Sequence, residues 1–104
     1  MADIKRALSM IGLCKKAGRL VSGTPIVIDA IRDNKVFLCI YAQKASQNSV
    51  KRITDKATSY STEALPLDVT PEELGHSIGK AGAVSAIGIT DLGFAEAIKK
   101  IISE

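Results

Sequence analysis

The chain has 104 residues, of which 46 % are hydrophobic, 4 % aromatic and 24 % charged, and its formal net charge is +3. That size and balance predict one ordered domain over residues 1–104 with a core of Ile, Leu, Val and Ala, and they exclude a disordered or fibrous chain. No apolar run approaches the ~20 residues of a membrane span, and no signal-peptide pattern follows Met1, so a cytoplasmic protein without membrane attachment is expected.

Ile4, Ala7, Leu8, Ile11 and Cys14 recur at helical spacing and predict a first helix over residues 3–17, ended by Gly18. Leu20 and Val21 leave room only for a short strand. Thr24 reads as the N-cap and Pro25 as the first position of a second helix, with Val27, Ile28 and Ile31 facing inward and a close near Asn34. Residues 36–42 are apolar at every position, which predicts a central strand covered on both faces. A third helix spans residues 46–59, with Val50, Ile53 and Ala57 inward. Residues 65–69 form a strand that Pro66 pushes to an edge. Thr70, Pro71 and Glu73 compose a capping box and first turn for a short helix ending near Gly79. Residues 83–90 make a last strand, and Asp91 caps a last helix carrying Phe94, Ala95, Ile98, Ile101 and Ile102. The order α-β-α-β-α-β-α-β-α predicts a three-layer α/β/α sandwich: a four-stranded mixed sheet with helices on both faces.

The charges are unevenly distributed. Residues 1–60 hold eleven Lys/Arg against four Asp/Glu, a balance of +7, and residues 61–104 hold three against seven, a balance of −4. One strongly basic flank suits a polyanionic partner. Lys15, Lys16 and Arg19 precede Gly23, Thr24 and Pro25, so cations stand near a helix start in sequence. A helix N-terminus with unpaired N–H groups attracts phosphate, although an ordinary capped helix after a turn explains the same residues.

Catalytic chemistry finds few footholds. His76 is the only histidine and reads as an exposed or packing residue. Residues 75–79 match the letters of a Gly-x-Ser-x-Gly elbow, but they fall in a predicted short helix and not on the strand-to-helix turn that exposes a nucleophile. Residues 75–81 imitate a phosphate-binding P-loop, but the glycine spacing is one residue short and Ala81 stands where a Ser or Thr would hold Mg²⁺. A predicted helix also precedes them where a strand is required. Cys14 and Cys39 read as buried small hydrophobes, and a zinc site would need four close ligands. No cofactor and no metal are expected. Phe37 and Tyr41 would stack bases only if their strand lay open, which its unbroken apolarity opposes.

Three stretches occur in order: Lys16-Ala17-Gly18-Arg19-Leu20-Val21-Ser22-Gly23, Ala42-Gln43-Lys44-Ala45-Ser46-Gln47-Asn48, and Leu74-Gly75-His76-Ser77-Ile78-Gly79-Lys80. Together they resemble the bacterial YlxQ-like branch of the ribosomal-protein superfamily typified by archaeal L7Ae and L30e, over nearly the whole chain. The resemblance implies a sandwich that binds kink-turn RNA, a sharply bent internal-loop motif. In that family the glycine and first turn of the second helix enter the RNA groove, and a loop before the last strand covers splayed bases. Carried over residue by residue, Gly23, Thr24 and Pro25 would be the helix tip facing RNA, and Lys16 and Arg19 would hold flanking phosphates. Lys44 and Ser46 would stand at the neighbouring strand end, and Lys80, Ala81, Gly82 and Ala83 would form the second loop. Ser22 and Arg32 complete the expected RNA-binding set.

This sequence departs from the family pattern Gly-x-Asn-Glu-x-x-Lys, with Pro25, Ile26 and Asp29 at the Asn, Glu and Lys positions. Neither Pro nor Ile can read a base edge, and losing about two such pairings at ~1–3 kcal/mol each implies weaker or altered specificity on the same scaffold. The expected function is a non-catalytic, monomeric RNA-binding protein that recognises bent ribosomal or leader RNA by phosphate and shape. The rival expectation is a protein-interaction adaptor whose apolar helix tip replaced the polar one. A small enzyme or nucleotide-binding domain would need converging carboxylates in a deep pocket.

Overall fold

Each element starts or stops at a residue that can take over its orphan hydrogen bonds. The computed structural model describes residues 3–104. Helix α1 (Ile4–Lys16) starts on Asp3, whose carboxylate accepts the Arg6 N–H at 3.1 Å. It ends through Ala17 at Gly18, which takes φ +72°. Strand β1 (Leu20–Ser22) leads into helix α2 (Thr24–Arg32), and strand β2 (Leu38–Ala42) into helix α3 (Gln47–Ser59). Strand β3 (Ala64–Leu67), helix α4 (Pro71–Ser77), strand β4 (Ala86–Ile89) and helix α5 (Leu92–Ser103) complete the chain.

The polar caps predicted at Thr70 and Asp91 are formed. Thr70 Oγ1 accepts the Glu73 N–H at 3.1 Å while the Glu73 carboxylate accepts the Thr70 N–H at 3.0 Å. Asp91 accepts the Phe94 N–H at 2.9 Å, while Ser46, expected as the first residue of the third helix, is its cap and accepts the Ser49 N–H at 3.2 Å.

The strand order is β1-β4-β2-β3. β2 runs parallel to β3 and antiparallel to β4, and β1 runs antiparallel to β4, so the sheet is mixed. β2 lies inside the sheet and β3, with Pro66, at its edge, as the sequence patterns predict. Strand alternation then sorts the core. Leu20, Leu38, Ile40, Leu67, Ile87 and Ile89 point to one face and pack under α1, α4 and α5. Cys39 and Ala86 point to the other and pack under α2 and α3, with Val21, Tyr41 and Ala64 beside them. Every fully buried Ile or Leu contributes ~1.5–3 kcal/mol, so the two half-cores hold the three layers together.

Four further expectations need correction. Thr24 is the first residue of α2, not its cap: Gly23 holds that position, and Pro25 is second. The positive φ of Gly23, +95°, is open to glycine but strained for threonine, so the helix start moves back one residue. Phe37 is 53 % exposed, because β2 begins only at Leu38 and Phe37 lies beyond the helices that cover the strand. The last strand starts at Ala86, which leaves residues 83–85 in the preceding loop. Finally, α2 closes at Arg32, where Asp33 caps it and Asn34 turns the chain at φ +56°.

Candidate nucleic-acid interface

Sheet topology decides which loops meet. Because β4 is antiparallel to β1 and β2, the C-terminal ends of β1, β2 and β3 share one end of the sheet with the start of β4. At this apex stand residues 22–26, 42–46, 67–70 and 80–85. Backbone hydrogen bonds stitch them together. The Gly23 N–H donates to the Ala86 carbonyl at 3.0 Å, and the Ala42 N–H donates to the Ser85 carbonyl at 2.9 Å. The Gln43 N–H donates to Leu67 at 2.8 Å, and the Val84 N–H to Pro71 at 2.9 Å.

The helix tip itself is open. A side chain on Gly23 would meet nothing within 4 Å. The Gly23 carbonyl accepts the Val27 N–H at 2.9 Å, and Pro25 has no N–H, so Thr24 and Ile26 offer the free donors of α2. Ile26 is 55 % exposed beside exposed Pro25, giving an apolar knob at the tip. Ser22, expected among the contacts, is buried beneath the tip and offers its hydroxyl little access.

At the same end stands the loop of Lys80, Ala81, Gly82 and Ala83, all exposed. Its position depends on Gly75, where any side chain would overlap the Gly82 carbonyl. The Lys80 N–H also donates to the Gly75 carbonyl at 2.9 Å. Lys80 has no ion-pair partner among the described residues, whereas Lys44 lies 3.7 Å from Asp68. The Thr70 backbone and side-chain hydrogen bonds hold the Glu73 carboxyl below its ordinary range, and nearby Lys44 adds to this. Ser46 is spent on capping α3.

Three of the expected cations, Lys16, Arg19 and Arg32, are not at this end. Arg19 precedes β1, and its carbonyl accepts the Thr90 N–H at 3.0 Å, so it lies roughly 13 Å along the strand from Gly23. Lys16 ends α1 beside it. Arg32 ends α2, about 12 Å from the tip, and its guanidinium lies 3.9 Å from Asp29. The expected arrangement of cationic strand and small-residue loop side by side is therefore corrected: the strand separates them. Lys15, Lys16, Arg19 and Lys35 gather at the opposite end, the base, where none has an ion-pair partner among the described residues. The sequence reading missed Lys35, which reaches this cluster because β2 starts at the base. It also missed Asp68, brought to Lys44 by the parallel pairing of β2 and β3.

Both cysteines are free and buried. The Cys14 thiol donates to the Arg19 carbonyl at 3.2 Å, and burial pushes it up to about 11, with Asp91 adding to the effect. Burial pushes the Cys39 thiol up to about 12. Among the described residues no three His, Cys, Asp or Glu side chains form a group that could hold a metal, and no helix is long and apolar enough to cross a membrane.

Comparison with known proteins places this geometry. Curated proteins named RNA-binding protein YlxQ are similar to the chain. The one from Enterococcus faecium is 35 % identical over 98 residues, covering 94 % of this chain and 92 % of that protein. The one from Bacillus subtilis is 36 % identical over 94 residues, covering 90 % and 89 %. A solved Bacillus halodurans protein of unknown function superposes with a TM-score of 0.86 at 31 % identity, over 94 % of this chain and 97 % of that one. The Giardia lamblia 15.5kD RNA binding protein shares the fold, with a TM-score of 0.80 at 12 % identity over 96 % and 85 % of the two chains. Residues 5–99 match the model of the Ribosomal protein L7Ae/L30e/S12e/Gadd45 family, and the chain belongs to that family.

Proposed function

We propose that the chain is a non-catalytic, cytoplasmic RNA-binding protein that acts as one domain and a monomer, and that it grips bent, kink-turn-type RNA at the apex. The observation that carries this reading is that the open Gly23 tip and the small-residue loop of residues 80–83 stand at the same end of the sheet, where the Gly23 N–H donates to Ala86 at the start of β4. The names of the YlxQ relatives support RNA as the partner class, and ribosomal or leader RNA supplies bent internal loops of the required kind.

In this mechanism the first turn of α2 enters the groove, where the Thr24 and Ile26 N–H groups meet a phosphate. Pro25 and the Ile26 side chain press on an unpaired base by apolar contact. Lys80 neutralises a phosphate across the groove, and Ala81, Gly82 and Ala83 allow the RNA backbone close approach. Lys44 adds charge once a phosphate competes with Asp68. Lys16 and Arg19 touch the same RNA only if it continues along the β1 edge towards the base. Contacts of this kind read shape and phosphate more than sequence.

Binding to a kink-turn RNA and to a plain duplex of equal length, measured over several salt concentrations, tests the reading. Tighter binding to the kink-turn is expected, with affinity falling as salt rises by about one logarithmic unit of slope per neutralised phosphate. Equal affinity for both RNAs removes the kink-turn, and a flat salt response removes the phosphate contacts.

One observation favours a second reading. Pro25 and Ile26 present an apolar knob where a polar reading head is expected, which suits a protein-interaction adaptor. An Ile26→Glu variant that keeps full RNA affinity but loses a protein partner selects that alternative.

A further inference from the structure

A groove lies on the outer face of α1 and α4 and reaches Gly79, next to the loop of residues 80–83. It holds about 640 Å³ and runs from Lys5 to Lys16, about 16 Å of helix. Gly12 seals its floor: an added Cβ there would lie 2.9 Å from the Ser77 carbonyl, so α4 sits directly on α1. Leu8, Leu13 and Ile78 make the lining apolar, and Leu13 is 53 % exposed although it lies between two buried positions' turns of the same helix. Lys5, Lys15 and Lys16 form the rim, and none of them has an ion-pair partner among the described residues. Glu73 is the single carboxylate in the lining, and its oxygen is engaged at Thr70.

From this we infer that the α1–α4 groove is a docking site for an acidic amphipathic helix of a partner protein. Charge complementarity selects the sign, since three unpaired lysines around an apolar trough leave positive potential that an acidic flank would satisfy. The trough selects the form. Two helices offer no unpaired strand edge to an extended peptide, whereas about eleven residues of helix match the groove's length and insert apolar anchors at i, i+3 and i+7. A phosphodiester backbone would leave Leu8 and Leu13 facing solvent or charge, so RNA is the poorer occupant. The inference is independent of RNA binding at the apex.

The test selects a library of peptides about eleven residues long against the full chain, with helical apolar spacing fixed and the remaining positions free to be Glu or Lys. Retained peptides are expected to be Glu-rich and to shift backbone amides at residues 5–16 and 73–79. Leu13→Glu, at a half-exposed position, should weaken them about tenfold or more while leaving RNA affinity intact. Lys5→Glu with Lys15→Glu should do the same to Glu-rich peptides and restore binding of their Lys-rich counterparts. The inference is overturned if no peptide is retained, if retained peptides show no acidic preference, or if Leu13→Glu leaves their binding unchanged. It is equally overturned if RNA, rather than peptide, shifts the amides of residues 5–13, the part of the groove remote from the loop of residues 80–83.

Discussion

The two ends of the sheet are built from opposite materials. At the apex the chain uses glycines, small residues and backbone hydrogen bonds, with Lys80 as its one unpaired cation among residues 22–26, 42–46, 67–70 and 80–85. At the base it carries Lys15, Lys16, Arg19 and Lys35 without ion-pair partners among the described residues, and exposed Phe37 and Leu92, which share a pocket with Glu63, Glu96 and Lys99. Shape is therefore concentrated where charge is sparse. A charge cluster remote from the contact still raises the local concentration of a polyanion and speeds its arrival, without specifying what is bound. In the proposed RNA reading the apex discriminates and the base steers.

Substitutions at the apex glycines should break that contrast most strongly. Gly75→Val forces a side chain into the Gly82 carbonyl and should cost about 3 kcal/mol, the upper part of the usual overpacking range, read as a lowered denaturation midpoint. Unchanged stability would mean that the loop at residues 80–83 is not held from below. Gly23→Val places a branched residue at φ +95°, at a cost of ~1–3 kcal/mol, and should also reduce RNA affinity by the obstruction it creates at the tip. A variant that folds less stably yet binds RNA as well as the parent would remove the tip from the interface.

How far the sequence foretold this contrast depends on the kind of signal. The caps were legible because Thr70, Glu73 and Asp91 act on donors three residues away, within reach of local reading. The interior strand was legible from unbroken apolarity, and the edge strand from Pro66. Phe37 escaped because an apolar run does not say where its covering helices stop. The cation placement escaped for a topological reason: nothing local in Lys16, Arg19 or Arg32 reveals that β1 and α2 carry them to the end opposite Gly23. Family resemblance brought residues 23–25 and 80–83 into one expected site, and the antiparallel β1–β4 pairing puts the end of β1 and the start of β4 at the same end of the sheet. The same resemblance also included Ser22, which the strand alternation buries.

Single-charge changes sharpen the comparison at a smaller scale. Lys80→Ala should lower RNA affinity several-fold and reduce the salt slope by about one, the signature of one lost phosphate contact. Arg19→Ala should act chiefly on the association rate, with dissociation little changed. Lys99→Ala should change neither, since the Lys99 ammonium is paired with Glu63 at 2.9 Å. An Arg19→Ala effect confined to dissociation would place the RNA directly against the base.

The smallest effects concern titration. Thiols at about 11 and about 12 in the folded chain exceed their ordinary value near 9, so folding favours their protonated forms. Their contribution to stability is complete below pH 9 and is lost as pH rises through the folded values. Native Cys14 and Cys39 should accordingly resist thiol reagents at pH 8 and react once the chain is unfolded. Glu73 has the opposite sign: its carboxyl is held low, so its contribution is present above the ordinary carboxylate range and lost as pH falls through its folded value. Stability measured across acid pH in the parent and in Glu73→Gln checks that direction.

Residue-resolved amide perturbation during titration with a kink-turn RNA tests the division between the two ends most directly. The account predicts the largest perturbations at residues 23–26 and 80–83, with weaker, salt-sensitive changes near Arg19. Perturbations confined to Lys15, Lys16, Arg19 and Lys35, with the α2 tip silent, would contradict it.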